Sequence, residues 1–485
     1  MRVCVDGLRV RSVAGFVAWL ILSSCLIAYP LPGAAEAPVE GEAVSQIEPA
    51  QFQLPPAPSK PGAEPAPALP RQLKYEYVIG SESEGNYRRN SDLDSKVSDD
   101  FATLQPQVNV IATYRPTDWL ETRVEVILER QMLIHGNRNY TLPDGQPAHH
   151  PADRNSLLLD QAYFTIHNVT DPFVFSLGRR NYEDERHWLY DTSLDIGAVG
   201  FKGGRFRAEA SFGREALVDL DALQRQQKDR VNTLILYGEY RAFEDTKLAA
   251  YTIRREDRDN RDGRWQILGL RSIGFPTESF NYWTEFAATR GRDENSRRLA
   301  GYGLDVGGTY RFRGLPLNPN ITLSFAYGSG DHNMDDDTNG EFRQSGLQSN
   351  LQKFAGLAEF KYYGEALDPE LSNLKILTVG LGFRPWRDIS VDFIYHRYWL
   401  DVVAEDLRNS ALTAQMNQDP TRASRDVGQA LDVVLGFRNV FGIQRLGIDV
   451  RGGLFFPGSA FRNDRGDDNY VDADSAAAVV AKFWL

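Results

Sequence analysis

Residues 473–485 read Ala-Asp-Ser-Ala-Ala-Ala-Val-Val-Ala-Lys-Phe-Trp-Leu. In an extended chain successive side chains point to opposite faces. Ala477, Val479, Ala481, Phe483 and Leu485 therefore share one face, and Ala476, Ala478, Lys482 and Trp484 the other. The stretch is a strand with one apolar face. Alone it exposes unpaired N–H and C=O groups along its edges. Two settings satisfy those groups. One is a soluble sheet with this strand at its edge. The other is a sheet closed on itself in a bilayer, where the backbone has no water to turn to. The number of similar strands upstream decides between them.

From Leu73 onward, segments of about ten residues alternate in hydrophobicity between turn signals. Ile321, Leu323, Phe325 and Tyr327 oppose Thr322, Ser324, Ala326 and Gly328. Tyr302, Leu304, Val306, Tyr310 and Phe312 oppose Gly303, Asp305, Thr309 and Arg311. Phe206, Ala208, Ala210 and Phe212 oppose Arg205, Arg207 and Glu209, and Leu120, Thr122, Val124, Val126 and Leu128 oppose Glu121, Arg123, Glu125 and Glu129. The second face of each segment is too charged to be a core. An apolar exterior around a wet, charged interior satisfies both faces.

The connections alternate as well. Arg115–Asp118, Asn168–Pro172, Gly203–Gly204, Glu244–Asp245, Phe275–Glu278, Gly314–Pro319, Arg384–Asp388 and Val440–Gln444 read as eight short turns. Between them lie nine longer polar loops, at 81–103, 132–155, 181–194, 215–229, 256–263, 291–297, 329–373, 400–426 and 456–473. Short turns on one rim and long loops on the other are the mark of outer-membrane barrels. Seventeen connections join 18 strands. The fold expected is all-β, an 18-stranded antiparallel transmembrane β-barrel with short periplasmic turns and long extracellular loops. Phe354–Tyr363 could pass for a strand, but counting it would put Arg384–Asp388 on the long-loop rim. On that parity the whole of 329–373 is expected outside the barrel.

The chain has 485 residues with 26 Phe, 21 Tyr and 41 Gly, and beyond residue 30 no run of 18 apolar residues could cross a membrane as a helix. Residues 1–35 read as a secretory signal: Arg2, Arg9 and Arg11, an apolar stretch over Val13–Ala28, then small residues Gly33, Ala34 and Ala35. A competing reading is Leu22-Ser23-Ser24-Cys25 as a lipobox ending in a lipid-modified cysteine. Cys4 and Cys25 are the only cysteines, so cleavage after Ala35 leaves none for disulfides, thiolate metal sites or nucleophiles. Residues 36–71, crowded with Pro55, Pro56, Pro58, Pro61, Pro65, Pro67 and Pro70, read as an extended periplasmic linker. The barrel is expected over 72–485. The formal charge is −12 and the first 35 residues carry +2, so the remainder is near −14. That balance argues against nucleic acid as a partner.

Gly346-Leu347-Gln348-Ser349-Asn350, Phe354-Ala355-Gly356, Gly364-Glu365-Ala366 and Glu370-Leu371-Ser372-Asn373-Leu374 follow one another in a run. Gly178-Arg179-Arg180, Trp188 with Asp191-Thr192, Asp426-Val427-Gly428-Gln429 with Leu431-Asp432, and Arg451-Gly452-Gly453-Leu454-Phe455 with Pro457-Gly458 accompany it. In this order the blocks resemble the bacterial alginate export family of outer-membrane porins, over about residues 73–485. The resemblance implies an 18-stranded, monomeric barrel. It also implies passive secretion of a polyanionic uronate polysaccharide through an arginine-lined pore, with long loops as plugs or lids. Inward guanidinium groups would lower the cost of threading carboxylates through a narrow constriction. By position in the family, Arg180 and Asp191 match constriction residues, and Arg451 lies in a matched block. Parity alone turns Arg123, Arg207, Arg311 and Arg451 toward the lumen. For each arginine a structural pair with a neighbouring Glu or Asp competes with a substrate role.

Three departures from the family pattern stand out. Gln161 takes the place of a lumen arginine, and Asn109 and Asp449 replace others. Val440–Gln444 is short where the family has a long periplasmic plug. The inward set also holds Glu121, Glu125, Glu209, Asp305, Asp432 and Asp449. The lumen is thus less basic than a dedicated alginate pore should be, which points to a less charged or different exopolysaccharide. The alternative function is an uptake porin for small anionic or sugar solutes.

No cofactor, metal or enzymatic role is expected. Asp335-x-Asp337-x-Asn339-Gly340 begins like a calcium loop, but the twelfth position is Gly346 rather than a bidentate Glu. None of the seven His stands in a triad or zinc motif. Trp119, Trp265, Trp386 and Trp484, with Tyr398 and Trp399 beside His396, read as the aromatic girdle at the membrane interface. The partners expected are a polyanionic polysaccharide, outer-membrane lipid and lipopolysaccharide, and periplasmic export or barrel-assembly proteins.

Overall fold

Each alternating segment of the sequence is a strand, and the strands close into a ring. The computed structural model describes residues 74–485, apart from 95–98, 142–146, 219, 224–229, 244, 260–262, 418, 420, 422 and 462–474. The expected signal (1–35) and linker (36–71) lie outside the described residues.

Among the described residues, eighteen long strands form one antiparallel sheet. They are β1 (Lys74–Arg89), β2 (Phe101–Thr117), β3 (Leu120–His135), β4 (Arg154–Thr170), β5 (Phe173–Glu183), β6 (Asp191–Gly203), β7 (Phe206–Arg214), β8 (Val231–Phe243) and β9 (Thr246–Asp257). They continue as β10 (Arg264–Thr277), β11 (Phe280–Arg292), β12 (Tyr302–Arg311), β13 (Asn320–Gly328), β14 (Leu374–Trp386), β15 (Ile389–Leu400), β16 (Asp426–Arg438), β17 (Gly447–Pro457) and β18 (Ala476–Trp484). Each pairs with its neighbours in sequence. The ring closes where β1 meets β18, from Glu82 opposite Trp484 to Arg89 opposite Ala477. Closure leaves the backbone N–H and C=O groups bonded within the wall, which is what a bilayer demands. The fold is the closed antiparallel β-barrel that the alternation required.

The outer face carries the apolar set. Phe175, Leu177, Phe212, Leu236, Leu270, Phe286, Leu323, Phe393 and Leu431 all stand exposed on it. Alternate residues turn inward: Ser176, Ser211, Thr233, Glu239, Arg271, Glu285, Asp305, Thr309, Thr322, Thr378, His396 and Asp432 are buried. The eight tight turns and nine longer connections fall where the alternation puts them. The loops after β1 and β3 are shorter than expected, because those strands run on past the apolar belt into polar sequence.

The longest connection corrects the sequence reading. Residues 354–363 are not a wall strand, as parity required; only Leu351–Gln352 and Phe360–Lys361 pair there. The segment is not outside, however. From Phe342 to Ser372 it folds into the lumen, with Phe342, Gln344, Leu367 and Leu371 fully buried. Parity fixes which rim a loop leaves from. It says nothing about whether the loop turns back.

Two of the four girdle tryptophans are also corrected. Trp119 and Trp386 are exposed on the outside near periplasmic turns, whereas Trp265 is 3% exposed on the inward face of β10. Trp484 also faces inward, under the Arg438 guanidinium 4.5 Å from its ring. Tyr398 and His396 are inward and fully buried, not interfacial.

Candidate functional site: a plugged, charge-lined lumen

Two segments fill the barrel. The first is the β5–β6 connection, residues 184–190. Asp184 organises it by accepting backbone N–H bonds from Arg186, Leu189 and Tyr190 at 3.2, 2.7 and 3.1 Å. It also meets Arg271 of β10 at 2.7 Å. Burial alone would raise this carboxyl's pKa; Arg271 and the N–H donors outweigh it, so the group is held below its usual value. Arg186 crosses the lumen to Asp305 of β12 at 3.0 Å and lies 4.8 Å from the Trp283 ring.

The second segment is 341–373. Trp188 donates to the Tyr363 hydroxyl at 2.9 Å, and Tyr363 donates to Asp305 at 2.8 Å, so the two segments share one wall carboxylate. Gln344 bonds Asn350 through both side-chain amides, at 3.0 and 3.1 Å. The foot of the plug reaches the periplasmic end: Leu357 N–H donates to Ser390 at 2.8 Å, and Arg438 donates to the Leu357 carbonyl at 2.6 Å. Glu365 meets Arg451 of β17 at 3.3 Å. Its pKa is raised by burial, against the pull of Arg451. The motif blocks Gly346–Asn350, Phe354–Gly356, Gly364–Ala366 and Glu370–Asn373 all lie in this plug.

At the root of the first segment the His187 imidazole sits between two carboxylates. Its Nε2 is 2.8 Å from Glu183 and its Nδ1 is 3.4 Å from Asp191. Burial would lower its pKa, but the Glu183 hydrogen bond and the fields of Asp191 and Glu183 push it up to about 9. Glu183, His187 and Asp191 are also the one grouping of metal-ligand type among the described residues. Both imidazole nitrogens face carboxylates, which suits a protonated bridge.

The sequence-derived site residues are not one cluster. Arg180 is inward and pairs with Glu209 at 3.2 Å, 4.8 Å from the Tyr182 ring. Asp191 faces His187. Arg123 pairs with Glu125 at 3.6 Å, and Gln161 donates to the same carboxylate at 2.6 Å. Arg451 belongs to the plug contact, and Asp449 pairs with Arg438 at 2.6 Å. Arg207 and Arg311 stand apart. Both face inward next to a periplasmic turn, and neither has an ion-pair partner among the described residues. Arg241 near the end of β8 and Arg384 near the end of β14 share that position and that state. Arg241 and Arg384 were missed, although inward parity at the turn-proximal strand end was signal enough to find them.

The calcium-like loop holds an internal cation. The Arg297 guanidinium donates to Asp331 at 2.5 Å and to the carbonyls of Asp336, Thr338 and Asn333 at 3.2, 2.8 and 3.3 Å. These are the kinds of oxygen a hard cation would use.

A family model described as alginate export matches residues 72–472. The alginate production protein AlgE of Azotobacter vinelandii is 26% identical over 379 residues, covering 67% of this chain and 76% of that protein. AlgE of Pseudomonas aeruginosa is 25% identical over 339 residues, covering 58% and 66%. Among solved structures, Pseudomonas aeruginosa OccK2 (OpdF) superposes with a TM-score of 0.53 at 12% identity over 85% of this chain and 97% of its own. OccK11 (OpdR) of the same organism gives 0.52 at 11% identity over 85% and 96%. These last two likenesses concern the fold.

Proposed function

The chain belongs to the alginate export family, and from that premise we propose that it lets an alginate-like anionic exopolysaccharide leave the periplasm passively through its lumen. One observation carries the reading: Arg207, Arg241, Arg311 and Arg384 point into the periplasmic mouth, and among the described residues none of them has a carboxylate within ion-pair distance, although Glu239 lies across from Arg207 and Asp392 near Arg384. Deeper in, cations such as Arg180, Arg271 and Arg451 are paired. An arc of guanidinium groups without contact ion pairs at one end raises the local concentration of a polyanion there. Each guanidinium can grip a carboxylate in two-point geometry. The contacts are separate and partly wet, so each is weak, and the polymer can step from one to the next.

The test is current through the full chain in a planar bilayer with oligouronates on the periplasmic side. Block at low oligouronate concentration, weakened in Arg207→Ala and Arg311→Ala, is the expected result. Indifference to oligouronates, with small neutral sugars passing freely, would replace this reading with an uptake porin.

A further inference from the structure

At the long-loop rim the outer face of β8 to β12 turns from apolar to cationic within two rows of side chains. Leu236, Leu268 and Tyr302 stand exposed in one cross-strand row with Thr252 and Ala288. The next row up holds Leu234, Arg254, Gln266 and Arg290, and the row above it holds Asn232, Glu256, Arg264, Arg292 and Arg298. Rows on one face lie about 7 Å apart, so the five arginines sit just above the apolar belt. All five are exposed. Glu256, 3.7 Å from Arg264, is the single acid in the two rows. Arg254 has no hydrogen-bond or ion-pair partner among the described residues. Arg292 and Arg298 meet only neutral oxygens, the Ser296 carbonyl at 2.7 Å and the Thr338 hydroxyl at 3.4 Å. Arg264, Arg292 and Arg298 are moreover direct cross-strand neighbours. Like charges so placed destabilise a sheet unless an anion lies over them. Outward cations elsewhere on this rim carry their own acids: Lys375 meets Asp401 at 2.9 Å, and Arg397 meets Asp426 at 2.8 Å.

We propose that this outer face binds the phosphorylated headgroup of an outer-leaflet glycolipid of the lipopolysaccharide type, with its acyl chains against Leu236, Leu268 and Tyr302. The proposal is independent of what crosses the lumen. Two properties select the occupant. Guanidinium forks match phosphate oxygens in two-point geometry. The cationic rows are also continuous with the apolar belt, which suits an amphiphile whose anionic head sits directly above its tails. A soluble polyuronate uses the arginines and leaves the belt unused. Arginines near a membrane also reach toward any headgroup region, but that needs no cross-strand triplet. Adjacent strands are about 4.8 Å apart, so Arg264, Arg292 and Arg298 span roughly 10 Å, the scale of one headgroup. A phosphate over the triplet removes its mutual repulsion. Arg254 and Arg290, one row nearer the hydrocarbon, take a second phosphate at the acyl-chain boundary, where less water screens the pair.

The test titrates the full chain, in micelles of a neutral detergent, with bis-phosphorylated lipid A or with its dephosphorylated form, and reads the lipid retained by native mass spectrometry. Wild type should hold the phosphorylated form about tenfold more tightly, and high salt should weaken the preference. Arg264→Gln, Arg292→Gln and Arg298→Gln combined should bring the two forms close to equality. Arg254→Gln with Arg290→Gln should narrow the ratio several-fold. A gel-mobility shift between folded and heat-denatured barrel checks each variant; should one fail to fold, the other carries the comparison. Arg130→Gln removes an exposed arginine of β3, away from the patch, and should match wild type. Wild type that holds both lipids equally overturns the proposal, whatever the variants do. So does an unchanged preference in the folded variants. Displacement of lipid A from wild type by an equal concentration of oligouronate would also overturn it, and would assign the arginines to a soluble polyanion instead.

Discussion

Leu357 sits against Gly436. A Cβ built at position 436 would come 2.8 Å from the Leu357 Cβ and 2.9 Å from the Ala358 nitrogen. Gly453 does the same for Glu365 and Ala366, where a Cβ would meet both at 3.0 Å. The inward face of β16 and β17 is therefore hollowed for the plug. Gly436→Val should lift the plug foot and raise conductance several-fold, because added side-chain volume in a tight fit costs about 1–3 kcal/mol. Single-channel recording checks this. Wild-type conductance in a folded Gly436→Val barrel would show that the foot is not seated as described.

The outer face makes a separate prediction. Leu323 stands 59% exposed in the middle of β13, facing lipid. Leu323→Arg should destabilise the folded barrel by about 2–4 kcal/mol, the cost of a cation near the bilayer midplane. Denaturant-driven unfolding from lipid vesicles measures it. No shift in the midpoint would mean that this face does not meet hydrocarbon.

Charge reversal at the mouth tests the capture step. Arg311→Glu should weaken oligouronate block, and the effect should shrink as salt rises. Each unit of charge acting through water at contact is worth about 1 kcal/mol, roughly fivefold in affinity. A salt-independent change would point to altered packing.

His187 gives the pH dependence. Its folded-state pKa is raised to about 9 from an ordinary 6.5. A raised value means the protonated bridge contributes fully below about pH 6.5 and is lost as pH rises through 9. The segment 184–190 should loosen, and open probability should rise, between about pH 6.5 and 9. His187→Gln should flatten that profile. A profile unchanged by the substitution would assign the pH response elsewhere.

The wall was legible in the sequence because alternation is local. Ile321 through Gly328 declare their faces with no knowledge of their neighbours, and parity of the connections supplied the rest. The plug was not legible as a plug. Phe342, Phe354, Phe360 and Leu367 are apolar without a period, since an irregular segment buried on all sides has no preferred face. Inward glycines such as Gly436 and Gly453 were its hidden complement. Lumen pairing was half legible. Parity turned Arg123, Arg180 and Arg451 inward, but which acid each would meet depends on barrel shear and on loops that return from the far rim. Trp265 and Trp484 misled because a tryptophan near a strand end suits the interface as well as a lumen contact.

The account's central claim is that charge decides what crosses. The most direct measurement is release of labelled oligosaccharides of equal length from proteoliposomes holding the full chain with its periplasmic mouth facing the interior. Oligouronates should escape at least tenfold faster than their neutral counterparts, a ratio on the order of 1.4 kcal/mol, and Arg207→Ala with Arg311→Ala should narrow it. Equal escape of both, or faster escape of the neutral sugar, would contradict the account.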